Sequence, residues 1–309
     1  MLRFGNTRTR RRRGNYNTIS DHAWYVPGVA DMFILLLWLF VGLVLGLVVS
    51  ALFIRLMGQA SSLEYTMLIS YPLQFLPAML YVGYKSRKNS FDSKGFALDS
   101  NNFAPVGGWL AALFVILATL AAAYATDAIN YAMPPIPEWL EKAFRDMTSG
   151  NFWVNFLCVS IMAPFFEEWL CRGMILRGLL YESKIKPFWA IVISSVFFAI
   201  IHMNPWQAIP AFILGCLFGY VYYKTGSLKL TMLMHFANNT MALVAARIPA
   251  LEDADNWVSI LGKGRYWAYF VLALVVLGLV ILAFERIKPK SPQGNCDEVE
   301  PLVGYYSNK

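Results

Sequence analysis

Eight separate stretches of this chain are apolar over enough residues to need something other than water around them. They run over about 32–55, 64–84, 107–131, 150–181, 187–203, 207–223, 228–247 and 266–285; roughly 20 apolar residues cover a bilayer's hydrocarbon core at 1.5 Å per residue. Of the 309 residues 58% are hydrophobic and 15% charged, against roughly 25% charged in an average soluble domain. One aqueous core cannot hide that much apolar surface, and the mean hydropathy of +0.49 agrees. The pattern predicts an all-α, polytopic membrane bundle of about eight transmembrane helices. The fifth and sixth segments are short and joined by Asn204-Pro205-Trp206, which predicts a tight helical hairpin.

The flanks have a different composition. Residues 1–30 carry Arg3, Arg8 and the run Arg10 to Arg13, and read as a basic, mobile cytoplasmic arm. It is not read as a cleaved signal peptide, because the stretch Met32 to Phe53 is long enough to span and no small-residue cleavage site follows. Residues 31–287 form the transmembrane bundle, with a motif-bearing core at 150–245, and 288–309 read as a polar, disordered tail. The formal net charge of +7 does not indicate nucleic acid. The basic residues sit in short clusters between apolar runs, with no basic stripe interleaved with aromatics.

Those clusters give an orientation. With the N-terminus inside and eight alternating helices, the arm holds six Lys and Arg, the 85–94 loop four and the 172–186 region four. The 224–229 turn holds two and the C-terminus four, so 20 of the 26 basic residues fall inside and both termini read as cytoplasmic. The cysteines Cys158, Cys171, Cys216 and Cys296 form no CxxC pair, which argues for packing residues rather than a disulfide or zinc framework.

Ionisable groups inside membrane helices cost a few kcal/mol or more each, so they are the first functional candidates. Of three histidines, His22 lies in the arm, while His202 and His235 lie in apolar segments. The fourth segment reads PFFEEWLCRG over 164–173 and carries Glu167, Glu168 and Arg172. Glu168 and Arg172 are i and i+4 and can pair on one face. Glu167 lies about 100° away with no cation in register, and is left free to act elsewhere. By the same spacing Phe198 shares a face with His202, and His235 with Asn239. Counting from the 182–187 turn puts Glu167 and His202 at one level, about 22 Å deep. His235 counts to roughly 12 Å, a gap that tilt or an irregular helix must close. Gly215 and Gly219 form a G-x-x-x-G pair suited to close packing beside such a pocket.

These residues carry a resemblance. E-E-x-x-x-R (Glu167, Glu168, Arg172), F-x-x-x-H (Phe198, His202) and H-x-x-x-N (His235, Asn239) occur in this order, on the fourth, fifth and seventh apolar segments. The arrangement resembles the CPBP (CAAX protease and bacteriocin-processing, or Abi) family of intramembrane endopeptidases, which includes the Ras-converting CAAX endopeptidase. The resemblance covers about 150–245; the first three helices share only their hydrophobicity. It implies hydrolysis of peptide bonds in membrane-anchored protein or peptide substrates. Glu167 would activate water, His202 would share it and shuttle the proton, and His235 and Asn239 would donate to the oxyanion. Glu168, Arg172 and Phe198 would support them.

The same residues allow a zinc reading, with Glu167, His202 and His235 as ligands and one position open for water. Ligand chemistry weighs against it: there is no H-E-x-x-H pair and Asn is a poor zinc ligand, so no cofactor is favoured. Two other classes remain. A silent relative, acting as a scaffold or immunity protein, would use the same polar residues to knit helices together. A proton-coupled transporter would use them as a relay, but the ionisable residues fall in segments four to seven, with none in the first three apart from end positions, and no inverted repeat is seen.

Overall fold

The computed structural model describes residues 20–57, 59–148, 150–183, 185–248 and 257–302. The arginine run of the arm and the last seven residues of the tail lie outside the described residues. The helices are α1 (Val29–Met57), α2 (Gln59–Asn89), α3 (Gly108–Ala132) and α4 (Glu138–Thr148), followed by α5 (Phe152–Tyr181). Then come α6 (Pro187–Ile200), α7 (Pro205–Thr225), α8 (Leu228–Ala245), α9 (Trp257–Leu261) and α10 (Lys263–Glu285). Two short strands, β1 (Gly95–Phe96) and β2 (Glu298–Val299), pair antiparallel.

All eight apolar segments fold as helices, and the chain is a multi-pass, all-α membrane protein. Among the described residues five helices are long and apolar enough to cross a membrane: α1, α3, α5, α7 and α10. α6 is apolar but shorter, at 14 residues. α2 and α8 have the length and fall short in apolarity, because Tyr71 and Gln74 interrupt one, and His235, Asn238 and Asn239 the other. α6 and α7 form the expected hairpin. Asn204 caps α7 by accepting from the Gln207 N–H at 2.9 Å. At Gly215 an added Cβ would lie 3.1 Å from the Ser195 side chain, and at Gly219 3.0 Å from Ile191, so the G-x-x-x-G pair does seat one helix on the other.

The arm and the tail depart from expectation. Residues 22–25 are buried, as are Asn295 and Cys296, so neither flank is free over 20–28 or 288–302. Both pack with the 90–106 loop into a cap over one end of the bundle. The Trp24 N–H donates to Ser86 Oγ at 3.1 Å and the Trp24 indole to the Glu300 carbonyl at 3.2 Å. Asn295 donates to the Lys224 carbonyl at 2.6 Å. Gly226, at φ 66°, lies so close to the Asn295 carbonyl oxygen that an added Cβ would sit 2.6 Å from it.

One side chain closes the cap. Arg177 is wholly buried and donates to five carbonyls. They are Gly173 (2.6 Å), Ala23 (3.1 Å), Phe96 (2.6 Å), His22 (3.4 Å) and Tyr25 (2.6 Å). Polar composition reads as disorder only while the backbone has no partner. Here a fixed five-donor fork supplies one for three separate segments.

Candidate active site

The fourth hydrophobic segment is not a uniform α-helix. Within α5 the stretches Phe156–Met162 and Trp169–Leu176 are π-helical, and Ala163–Glu168 between them is α-helical. Such wide turns inside a helix concentrate at functional sites. They also advance less per residue than an α-helix. The π stretch between Glu168 and the following turn therefore brings the glutamates toward the level of His235, which plain α-helical counting left about 10 Å apart.

Glu168 and Arg172 pair as their i,i+4 spacing predicts. Arg172 Nη1 donates to Glu168 Oε1 at 2.7 Å, with both side chains completely shielded from solvent. Arg172 Nη2 also donates to the Gly215 carbonyl at 3.0 Å. Its guanidinium lies over the Phe198 ring at 4.6 Å and the Phe218 ring at 5.3 Å. Those rings belong to two different apolar clusters, one built on α1, α2, α5 and α6 and the other on α3, α7, α8 and α10. The cation thus sits at the seam between them.

Glu167 is not free of partners. The Tyr71 hydroxyl of α2 donates to its Oε1, while its Oε2 is buried with no hydrogen-bond partner among the described residues. His235 lies between the two glutamates. Its Nδ1 is 3.1 Å from Glu168 Oε1 and its Nε2 is 3.9 Å from Glu167 Oε2. A gap of that width between two polar atoms suits a bridging water. The Phe198 ring stands edge-on to His235 at 5.4 Å and to His202 at 5.1 Å.

Glu167, Glu168, Arg172, Phe198 and His235 therefore converge, and His202 adjoins them through Phe198. His202 does not lie on the fifth helix, as the spacing implied. α6 ends at Ile200, and His202 occupies the turn before α7, with Nδ1 2.8 Å from the Phe198 carbonyl. Asn239 donates to the Val159 carbonyl of α5 at 2.9 Å and accepts from Asn238 at 3.1 Å. As for zinc, no three His, Cys, Asp or Glu side chains among the described residues group closely enough to hold a metal ion. Glu167, His202 and His235 as placed do not fit that ligand set.

Three residues of consequence escaped the sequence reading. Tyr71 had no signal beyond a hydroxyl in an apolar run. Arg177 lies four residues from the end of α5, where a cation reads as a topology charge. His22 was assigned to the arm; it is buried and accepts from the Trp169 indole at 3.1 Å.

With this geometry in place, comparison with known proteins is decisive for one segment. Residues 149–241 match the family model of the Rce1-like type II CAAX prenyl endopeptidases. The match covers 93 of the 309 residues, and over that segment the chain is similar to this protease family. The matched segment runs from the start of α5 into α8 and holds all seven motif residues, and the family it matches is a family of peptidases. No curated protein and no solved structure matches the chain. Tyr71 and the cap lie outside the matched residues, apart from Arg177, Tyr181 and the 224–227 turn on which the cap rests.

Proposed function

We propose that the chain is an intramembrane endopeptidase that removes C-terminal peptides from membrane-anchored, prenylated C-a-a-X substrates by glutamate-activated water. The observation that carries this reading is the partnerless, buried Glu167 Oε2 facing His235 Nε2 across 3.9 Å. A buried carboxylate oxygen left without a donor is costly unless something else fills its place. A water in that gap would donate to Glu167 Oε2 and to the His235 Nε2 lone pair. His235 would meanwhile give its Nδ1 proton to Glu168, which Arg172 holds in place. The water's own lone pair is then turned toward a scissile carbonyl.

In this reading His235 shares the water with Glu167, a part that the family resemblance implies for His202. His202, held by Nδ1 on the Phe198 carbonyl, keeps Nε2 for carrying the proton to the leaving amine. Asn239 keeps one amide N–H beyond the one given to Val159, and supplies an oxyanion donor. Both termini belong on the cytoplasmic side. Arg172, Arg177 and Lys224 are buried and carry no orientation signal. Setting those three aside leaves 17 of 23 basic residues inside, and the bias survives.

The test is peptide release from prenylated and unprenylated C-a-a-X peptides by the purified protein in proteoliposomes. The wild type is expected to release peptide from the prenylated substrate, and Glu167→Gln to lose on the order of 10²-fold or more in rate. Equal rates for the two would remove Glu167 from the mechanism. No release by either would favour the silent scaffold.

A further inference from the structure

The carboxylate proposed to activate water is held from outside the segment that bears the protease motifs. α2 contributes Tyr71, whose hydroxyl donates to Glu167 Oε1. A carboxylate has two oxygens, and rotation about its last bond exchanges them. Occupying one with a donor fixes which oxygen faces the reaction. Here Oε1 is taken by Tyr71, and Oε2 is the atom left facing His235. We infer that Tyr71 is a positioning residue of the active site, orienting Glu167 so that Oε2 alone is presented to the water. This rests on the proposed role of Glu167.

The surrounding packing shows a hydroxyl delivered to a set position. Phe75, one turn along α2, stacks on Phe166 of α5 with centroids 5.1 Å apart and an interplanar angle of 15°. The Tyr71 ring lies 5.5 Å from Phe75 and 6.3 Å from Phe166, so three rings clamp the helices beside Glu167. Behind α2, α1 approaches through Gly42 and Gly46, a second G-x-x-x-G pair. A Cβ at Gly42 would fall 2.0 Å from the Gln74 carbonyl oxygen, and one at Gly46 3.1 Å from that of Ser70. These contacts flank Tyr71 on its own helix. α1 is mostly exposed on its other faces, and it serves the site by backing α2.

A hydrogen bond to a charged group that acts through orientation should appear in turnover rather than in substrate binding. Tyr71→Phe removes the hydroxyl and keeps the ring. It is expected to lower kcat by on the order of 10- to 100-fold, with KM and thermal stability unchanged. In a Glu167→Gln background, itself slow, the same change is expected to cost nothing further, because there is no charged base left to orient. Phe284→Leu, in the buried cluster on α10 away from the site, is the packing control: it lowers thermal stability while kcat stays near the wild-type value. Wild-type kcat in Tyr71→Phe, beside an inactive Glu167→Gln, would overturn the role of Tyr71 and leave the proposed function standing. Wild-type activity in Glu167→Gln would overturn both. A loss of folded yield in Tyr71→Phe matching its loss of activity would make the hydroxyl a structural group and also overturn the inference.

Discussion

Arg172 and Arg177 lie five residues apart on α5, and solvent reaches neither side chain. Arg172 faces the seam between two apolar clusters and is matched by a carboxylate, Glu168, at 2.7 Å. Arg177 faces the cap and is matched by no carboxylate among the described residues; five backbone carbonyls surround it instead. The first arrangement places charge where chemistry can use it. The second uses the guanidinium as a set of donors for backbone that has left regular structure, and so ties the N-terminal segment and the β1 loop to the helix carrying the site. A buried cation is a functional signal only once its partners are known.

The comparison is broken most severely at Arg177. Arg177→Met would remove a donor from five carbonyls; those of Ala23 and His22 keep a backbone N–H, so up to three are stranded, at roughly 1–3 kcal/mol each. We expect almost no monodisperse protein on size exclusion in detergent. Arg177→Lys should not restore it, since an ammonium offers three donors from one point rather than a fork. A wild-type elution profile for Arg177→Met would mean that the cap holds without it.

Arg172→Ala comes next. It leaves Glu168 as an uncompensated buried charge, at a cost of about 3–5 kcal/mol. Adding Glu168→Gln to the same chain should recover part of the loss in thermal unfolding. The absence of any recovery would mean that Arg172 acts by packing between Phe198 and Phe218 rather than by pairing.

The smallest effect sharpens the difference through His22. Burial, and secondarily the charge of Arg177, lowers its pKa from 6.5 to about 4, consistent with a ring nitrogen that accepts from Trp169. Because the folded-state value is depressed, the unfolded chain binds the proton first as pH falls. Stability should decline from pH 6.5 toward pH 4, by at most about 3 kcal/mol. Thermal unfolding between pH 7.5 and 4.5 should show this slope in the wild type and a flatter one in His22→Gln. Parallel slopes would place the titration elsewhere.

The polar residues that held the argument together were legible for a physical reason. Glu167, Glu168 and Arg172 are conspicuous in an apolar run, and an i,i+4 pair on one helix is a local fact that the surrounding packing need only accept. His202 and His235 were equally visible, but their roles were not. The end of α6 and the π stretches of α5 decide which imidazole reaches Glu167, and both depend on how the helices pack. Tyr71 and Arg177 were illegible for opposite reasons. A tyrosine in an apolar helix is ordinary, and an arginine near a helix end looks like an orientation charge.

By itself, the sequence determined that the chain lives in a bilayer, that its helices are many, and that apolar segments four to seven carry the polar side chains; apolar length and the expense of buried charge leave little choice. Tertiary structure decided that the flanks fold back as a cap, that His235 rather than His202 meets both glutamates, and that α2 supplies a donor to Glu167. Those outcomes depend on contacts between residues up to about 280 positions apart, such as Trp24 with Glu300. No local spacing encodes them, because they exist only once the helices have packed.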